Sequence, residues 1–250
     1  MTKRERDPIT GALALGDNEA RVLLEKVVTV CGDGTVVAFD LDSTLLHNAP
    51  RQARIMREYG ASVGEAILAD VQASHWNGWD ARIPMRAVGL NEDKVALHAD
   101  PFKAFWRDRF FTSEYCTEDV PIAGAAAFVA AVFETGARVC YVTGRHEPMR
   151  GGSRESLSRG GFPVPGTDMI QLVMKPSLDE TDDAYKVRAY DALRDLGSVV
   201  AAFDNEPAHI NGYANAFPTA LSVHLATDHS LREIKVAAGI PSIADFSSWK

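Results

Sequence analysis

The stretch TVVAFDLDSTLL, residues 35–46, places two carboxylates, Asp40 and Asp42, directly after an apolar run. The run from Val36 to Phe39 is continuous and rich in β-branched residues, which is typical of a strand buried on both faces in a parallel sheet. Asp, Ser and Thr are also ordinary turn residues, so a plain turn is one interpretation. A turn does not explain why two acids point to one side of an extended backbone, where like charges repel unless something lies between them.

Further strand-like and helix-like segments alternate along the rest of the chain. Strand patterns occupy 137–143, 169–174, 198–203 and 219–225, and helical patterns occupy 18–30, 122–135 and 183–196. This alternation is typical of an open parallel sheet with helices on both faces, and such sheets bind ligands beyond the carboxyl ends of their strands. The predicted fold class is therefore α/β, with a Rossmann-like parallel sheet as its core.

The segment between the first strand and the 122–135 helix shows no strand pattern. Three helix signals occur there: an Asn48 cap with Pro50 and a stop at Gly60, a capping box of Ser62 and Glu65, and an opening at Asp100 and Pro101. We expect a helical domain, residues 47–118, inserted into a core made of residues 1–46 and 119–250.

Aromatic residues are concentrated in this insertion. Four of them fall on one face of a predicted helix, and we expect them to form the insertion's own core: Phe102, Phe105, Trp106 and Phe110. Trp76 and Trp79 lie in the loop-like stretch HWNGWD and are better candidates for a ligand pocket. After the second strand, the glycine- and proline-rich residues 150–166 are predicted to form a loop.

Polar clusters also follow the second and fourth strands, as VTGR (142–145) and FDNEP (203–207). In a parallel sheet the carboxyl ends of the strands meet at one edge, so Asp204 should lie near Asp40 and Asp42. Three converging acids need a cation, and a site of carboxylates without Cys or His suits a hard ion, for which Mg²⁺ is the natural choice.

These residues together resemble the haloacid dehalogenase (HAD) superfamily, specifically its phosphatase branch with a D-x-D-x-T first motif. That motif is Asp40-Leu41-Asp42-Ser43-Thr44 here. The resemblance extends to Thr143 in VTGR, to a lysine ahead of the fourth strand and to Asp204 in FDNEP, so it covers nearly the whole chain outside the insertion. It implies a HAD-like core with a type-one helical cap, and Mg²⁺-dependent hydrolysis of a phosphate monoester.

The resemblance also implies a role for each motif residue. Asp40 would attack phosphorus and form an aspartyl-phosphate, and Asp42 would protonate the leaving alkoxide and then take a proton from water. Thr143 and the backbone N–H of Gly144 would hold phosphoryl oxygens. Asp40, Asp42 through its backbone carbonyl, and Asp204 would be the metal ligands.

Two lysines precede the fourth strand, and either one can be the phosphate-binding lysine. We favour Lys186, near the start of the 183–196 helix, where Val187, Tyr190 and Leu193 are expected to face the core. Lys175 in VMKPS is the alternative. Asn205 and Glu206 stand where related sequences often carry a second acid. Asn205 is a candidate to orient a metal-bound water, and Glu206 is a candidate either for the same role or for capping the next helix.

The composition of the chain limits the classes of molecule that it is expected to bind. The net charge of −8 argues against binding nucleic acid or an anionic membrane, so we expect a small phosphate ester as the partner. The three cysteines show no CxxC pairing, which argues against a zinc site or a disulfide framework. The basic residues Lys3 and Arg4 are followed by no long apolar segment, so we expect a cytoplasmic protein.

Three rival functions remain. A dehalogenase would use the same aspartate on carbon, but it releases halide and needs neither a proton donor at Asp42 nor a metal. A phosphotransferase would pass the phosphoryl group to an acceptor other than water, and no residue separates these two reactions. A non-catalytic binding protein on the same fold has no need for all five motif residues, Asp40, Asp42, Thr143, Lys186 and Asp204.

Overall fold

The structure is a computed structural model that describes residues 5–76 and 78–249. Lys3, Arg4 and the asparagine of HWNGWD lie outside these residues. The chain divides into two units. The sheet unit comprises Met1–Leu46, Pro121–Glu147 and Leu157–Lys250, and the helical unit comprises His47–Val120 and Pro148–Ser156.

The strands of the described chain are β1 (Thr35–Phe39), β2 (Leu46–His47), β3 (Val120–Pro121), β4 (Arg138–His146), β5 (Ile170–Lys175), β6 (Ser198–Asp204), β7 (Leu221–Leu225) and β8 (Ser242–Ile243). Six of them form one parallel sheet in the order β5-β4-β1-β6-β7-β8. The short strands β2 and β3 pair separately. The predicted parallel α/β fold is confirmed, with β8 as an additional edge strand that the sequence pattern did not indicate.

The helices are α1 (Asp17–Val30), α2 (Ala49–Val63), α3 (Arg82–Ala87), α4 (Glu92–Phe110), α5 (Ser113–Cys116), α6 (Ala125–Glu134), α7 (Arg150–Arg159), α8 (Asp182–Leu196) and α9 (Pro207–Ala216). Short 3₁₀ helices cover Ala66–Asp70, Ala73–His75 and Glu147–Met149. Among the described residues, no helix combines the length and the hydrophobicity that crossing a membrane requires.

Side chains alternate along β1 between two buried layers. Val36 and Ala38 belong to the cluster that packs against α8 and α9. Phe39 points to the opposite face, where its ring lies 6.2 Å from that of Phe128 in α6. Because successive strand residues point to opposite faces, Asp40 continues the row of Val36 and Ala38 toward α8. This alternation explains how a helix distant in sequence supplies a partner for Asp40.

The first helix of the helical unit is longer than predicted. The expected stop at Gly60 is wrong, because α2 continues to Val63 and ends at Gly64, whose φ of 72° lies in the left-handed region that glycine favours. At Gly60 a Cβ atom would lie 2.5 Å from Cβ of Leu68, so this glycine permits the 3₁₀ helix Ala66–Asp70 to pack closely against α2. Ser62 lies inside α2, so the predicted capping box with Glu65 does not form.

The long helix α4 begins earlier than predicted. Its first residue is Glu92, and the Asn91 side chain caps it by accepting a hydrogen bond from the Lys94 N–H at 3.0 Å. The expected start at Asp100 and Pro101 is therefore wrong, since Pro101 lies inside the helix. Proline is a common first-turn residue, and that statistical preference misled the prediction.

The aromatic residues of the helical unit form one core, which includes buried Phe102 and Phe110. Trp76 is only 7% exposed and packs beside Phe102. The ring of Trp79 lies 5.6 Å from that of Phe110. Both tryptophans therefore take part in the packing of the unit itself, which the sequence analysis expected only of the helical aromatic residues.

The glycine-rich stretch after β4 is a helix over much of its length. The predicted loop at 150–166 is wrong for Arg150–Arg159, which form α7. Gly152 is required there, because a Cβ atom would overlap the carbonyl oxygen of Ser113. The Ser156 hydroxyl donates a hydrogen bond to the Cys116 carbonyl. The helical unit thus includes 148–156, which the predicted insertion of 47–118 did not contain.

Candidate active site

Three motifs from distant parts of the sequence meet at the carboxyl end of the central strands. The order β4-β1-β6 places Thr143, Asp40 and Asp204 on neighbouring strands. The backbone N–H of Asp40 donates to the carbonyl of Phe203 at 2.9 Å, which extends the β1–β6 ladder to the first acid of the motif. The sheet therefore brings the predicted residues together at one edge, as parallel strands do.

Lys186 lies at the centre of this edge and is 1% exposed. Its Nζ donates to Oδ1 of Asp40 at 2.8 Å, to Oδ2 of Asp204 at 2.9 Å and to the carbonyl of Val142 at 2.7 Å. One ammonium group therefore joins the ends of three neighbouring strands. Two carboxylates and a carbonyl therefore accept hydrogen bonds from the buried ammonium group. A buried charge requires such partners, because it has lost its contacts with water.

The position of Lys186 follows from the buried face of α8. Ala189 and Leu193 lie on that face together with Lys186. Val187 is 61% exposed, so the expectation that it faces the core is wrong. The lysine is itself a member of the buried face, one turn after the start of α8. At that start, the Thr181 side chain accepts a hydrogen bond from the backbone N–H of Ala184.

The alternative lysine is engaged elsewhere. Lys175, the last residue of β5, donates to Oδ1 of Asp182 at 2.6 Å and to the carbonyl of Glu180 at 3.1 Å. The Asp182 carboxylate also lies beside Gly144, where a Cβ atom would approach it to 2.9 Å. Gly144 thus allows close approach of the Asp182 carboxylate to the backbone of β4.

Asp42 is held by an arginine that the sequence analysis did not single out. Arg145 donates from Nε to Oδ2 of Asp42 at 2.9 Å and from its terminal nitrogen to Oδ1 at 2.7 Å. The Arg145 side chain is 2% exposed, whereas that of Asp42 is 23% exposed. Its position in VTGR, two residues after Thr143, was the available sequence signal.

Burial and charge shift the pKa values of the central groups in different directions. Burial raises the pKa of Asp40 to about 7, with Asp204 and Asp42 adding repulsion and Lys186 opposing the rise. Burial alone would raise the pKa of Asp204, but Lys186 and His209 outweigh it and lower that pKa. Burial disfavours the charged form of Lys186, yet Asp204 and Asp40 raise its pKa well above the usual value. Lys186 therefore favours the ionised form of both carboxylates, and burial outweighs this effect at Asp40.

The donor atoms at this edge fit a hard divalent cation. Asp40 and Asp204 present carboxylate oxygens to the same nitrogen, and Asp204 and Asp42 both repel the charged form of Asp40. Across 5–76 and 78–249, no three His, Cys, Asp or Glu side chains are grouped to hold a metal. A site with two carboxylates and the Asp42 carbonyl needs no third side chain, because Mg²⁺ commonly keeps several waters.

Thr44, the last residue of the first motif, is hydrogen-bonded to the fourth motif. Its hydroxyl donates to Oδ1 of Asn205 at 3.0 Å and accepts from the Asn205 backbone N–H at 3.0 Å. The Asn205 amide nitrogen donates to the carbonyl of Asp228. Asn205 therefore connects the first motif, the end of β6 and the 226–232 segment, a contact network that sequence reasoning missed.

Glu206 binds the same segment. Its carboxylate accepts from the Ser230 N–H at 3.0 Å, from the Ser230 hydroxyl at 2.7 Å and from Arg232 at 3.1 Å. Of the two readings left open for Glu206, neither describes these contacts fully, although it does occupy the N-cap position of α9. His209 in α9 lies 3.6 Å from Asp204 and 2.9 Å from Asp183, which connects the buried site to a surface ion pair with Arg232.

The chain was compared with known proteins by sequence and by structure. No protein-family model matches it, and no curated protein matches it. Protein tyrosine kinase A of Mycobacterium tuberculosis is similar in structure, with 17% identity, a TM-score of 0.52, and coverage of 86% of this chain and 96% of that one. A CbbY variant of Rhodobacter sphaeroides in complex with xylulose-(1,5)bisphosphate has 14% identity, a TM-score of 0.50, and coverage of 85% and 94%.

A class C acid phosphatase of Bacillus anthracis with tungstate bound is also similar, at 15% identity and a TM-score of 0.41. The alignment covers 75% of this chain and 63% of the length of that one. The likenesses to protein tyrosine kinase A and to the CbbY variant show that this chain shares their fold, which agrees with the fold that the sequence resemblance implies. At such identities the likeness establishes the fold and leaves the reaction to be argued from the site.

Proposed function

We propose that this protein is a Mg²⁺-dependent phosphomonoester hydrolase that acts on a small phosphorylated substrate through an aspartyl-phosphate on Asp40. The observation that carries the proposal is the contact of one buried lysine, Lys186, with both Asp40 and Asp204. Thr143 and Gly144 lie near the carboxyl end of the adjacent strand β4. A nucleophile, a cation and a glycine turn at one strand edge are the parts that phosphoryl transfer needs.

The first half-reaction transfers the phosphoryl group to the enzyme. A carboxylate oxygen of Asp40 forms a bond to phosphorus while the bond from phosphorus to the substrate oxygen breaks. Lys186 orients Asp40 and balances charge on the phosphoryl oxygens, and the Thr143 hydroxyl and Gly144 N–H bind those oxygens. Asp42 gives a proton to the departing alkoxide, which leaves as an alcohol.

The second half-reaction releases phosphate. Asp42, now a carboxylate, takes a proton from a water molecule as the water oxygen bonds to phosphorus. The bond between Asp40 and phosphorus breaks, which restores the free carboxylate. Asp40, Asp204 and the carbonyl oxygen of Asp42 would hold Mg²⁺, which supplies charge neutralisation at the phosphoryl oxygens when bound.

The helical unit is proposed to act as the substrate-selecting cap. Its aromatic core gives it a stable packing of its own, with Trp76, Phe102 and Phe110 among its buried side chains. An insertion between the first two motifs is where type-one caps occur in the superfamily that the sequence resembles. Substrate choice in such proteins resides in the added unit rather than in the sheet.

The proposal is tested with the purified full-length protein and 4-nitrophenyl phosphate, followed by a panel of small phosphate esters, in Mg²⁺ and in EDTA. We expect turnover with Mg²⁺ and its loss in EDTA. Asp40→Asn should abolish turnover, while Asp191→Asn, an exposed aspartate on α8, is the matched control and should retain it. Absence of turnover across the whole panel in both conditions would refute the proposal.

The acceptor is proposed to be water. Adding a series of small alcohols to the assay measures the alternative, because a phosphotransferase releases the leaving alcohol faster than inorganic phosphate. Equal release of the two products at every alcohol concentration supports hydrolysis. An excess of leaving alcohol over phosphate, matched by a new phosphate ester, would reassign the protein as a phosphotransferase.

A further inference from the structure

Arg145 and Asp42 form a two-point ion pair in the sheet unit. Both carboxylate oxygens are engaged, at 2.9 and 2.7 Å. Such a fork fixes the plane of a carboxylate as well as its position, because the guanidinium group is rigid and planar. The arginine is almost fully buried, while the carboxylate keeps an exposed edge. The buried member of the pair therefore holds the member that can meet substrate and water.

The backbone of β4 explains why Arg145 points toward the first motif. Strand β4 pairs with β5 at Thr143 and Met174 and next at His146 and Lys175, so two residues of β4 have no pairing partner in β5. These two residues are Gly144 and Arg145, and a bulge of this kind redirects a side chain. The Arg145 N–H also donates to the hydroxyl of Thr143 at 3.2 Å, which fixes the bulge.

We propose that Arg145 is a positioning residue that fixes the carboxyl group of Asp42 for proton transfer to the leaving group. Each carboxyl oxygen accepts one hydrogen bond from Arg145 and keeps a second lone pair, and the proton that passes to the alkoxide is carried on a lone pair at the exposed edge of the group. The inference rests on the proposed function, since it assigns a purpose to a partner of the proton-transfer residue. Asp42 lies beyond the end of β1, followed by Ser43 with a φ of 61°, and an Asp side chain there has several rotamers available. The fork selects one of them.

A positioning role and a phosphate-binding role predict different substrate dependences. Proton transfer matters most when the leaving group is a poor one, such as an alkoxide, and matters little for 4-nitrophenolate. Loss of a phosphate ligand would weaken every substrate alike, because the phosphoryl group is common to all. The relevant constant is kcat/KM, since it reports events up to departure of the leaving group.

The test compares wild type, Arg145→Ala and Arg145→Lys on 4-nitrophenyl phosphate and on an alkyl phosphate that wild type hydrolyses. We expect kcat/KM for the alkyl ester to fall by about 10²–10⁴-fold and that for the aryl ester by less than about tenfold. Guanidinium ion at millimolar concentration should restore alkyl phosphate hydrolysis in Arg145→Ala. In an Asp42→Asn background, Arg145→Ala should add no further loss.

A matched control is Arg188→Ala, which removes a fork on Glu180 of similar geometry at the protein surface. It should leave both values of kcat/KM unchanged. Equal losses on aryl and alkyl esters in the Arg145 variants would overturn the positioning role. If circular dichroism shows Arg145→Ala to be unfolded, Arg145→Lys carries the same expected change in the aryl-to-alkyl ratio. Absence of wild-type turnover would instead refute the proposed function itself and, with it, this inference.

Discussion

Lys186 donates a hydrogen bond to Asp40 at 2.8 Å, although 146 positions separate the two residues in the sequence. The same nitrogen lies 2.9 Å from Asp204, so one ammonium serves two buried acids. Removing one member of a buried ion pair lowers the free energy of unfolding more than replacing both members with apolar residues does, because the remaining charge loses its partner. Lys186 therefore combines a structural role with the proposed catalytic one.

The first prediction concerns Lys186→Met. We expect kcat/KM for 4-nitrophenyl phosphate to fall by at least about 10²-fold, because a preorganised charge on the phosphoryl group is lost. The free energy of unfolding should fall by on the order of 3–5 kcal/mol, because Asp40 and Asp204 stay buried without their shared cation. Steady-state kinetics and urea unfolding measure the two effects.

Lys175→Met is the control for that experiment. Lys175 is buried and bonded to Asp182, so its loss should also lower stability, but kcat/KM should fall by less than about tenfold. A larger loss of activity in Lys175→Met than in Lys186→Met would assign the phosphate-binding role to Lys175.

The sheet and the candidate site at its edge were predictable because each depends on local pattern. Buried parallel strands have continuous apolar runs, and Asp40, Thr143 and Asp204 each follow such a run directly. Strand order then brings them together without further information. The favoured lysine was also the one that contacts Asp40, but for a partly wrong reason, since Val187 faces solvent and Lys186 itself occupies the buried stripe.

What sequence reasoning missed depends on tertiary contacts. Gly60 looks like a helix stop, yet it lies within α2 because Leu68 packs against its backbone. Pro101 looks like a helix start, yet Asn91 caps that helix and its first residue is Glu92, nine positions before Pro101. Arg145 gave a clue only through its place in VTGR, because the bulge that aims it at Asp42 is a property of the β4–β5 register.

The second prediction concerns Glu206→Ala. Glu206 accepts hydrogen bonds from Ser230 and Arg232, so its loss should free the 226–232 segment, and trypsin should cleave after Arg232 faster than in wild type. The Mg²⁺ concentration for half-maximal activity should change by less than about twofold. Substitution of a residue that orients a metal-bound water typically costs 10–100-fold in metal affinity, by contrast.

Glu233→Ala is the matched control, since Glu233 is an exposed acid directly after the 226–232 segment. It should leave both the trypsin cleavage rate and the Mg²⁺ dependence as in wild type. A tenfold rise in the Mg²⁺ requirement of Glu206→Ala would show that Glu206 supports the metal site instead.

The third prediction is a pH dependence of stability that originates in Glu58 of the helical unit. Burial by itself would raise the pKa of Glu58, but hydrogen bonds from Tyr115 and Arg54 outweigh it, and the pKa is lowered. A carboxyl group with a lowered pKa in the folded state stabilises the protein above its unfolded pKa of about 4.3, and this contribution disappears as the pH falls through the folded value.

We therefore expect the free energy of unfolding to decrease more steeply on acidification below about pH 4.5 in wild type than in Glu58→Gln. Urea unfolding of the full chain at several pH values measures both slopes. Glu114→Gln is the control, because Glu114 contacts the same arginine but its side chain is 68% exposed. Parallel curves for wild type and Glu58→Gln would rule out this contribution.

The last prediction concerns the three free cysteines, Cys31, Cys116 and Cys140. Burial raises the pKa of Cys31 to about 11 and that of Cys140 to about 12, so neither forms much thiolate near neutral pH. We expect iodoacetamide at about pH 8 to modify Cys31 in the folded protein roughly 100-fold more slowly than in urea, because only the thiolate reacts. Mass spectrometry of timed samples should show three modified thiols after unfolding, whereas prompt alkylation of Cys31 in the folded chain would contradict its partly buried, high-pKa environment.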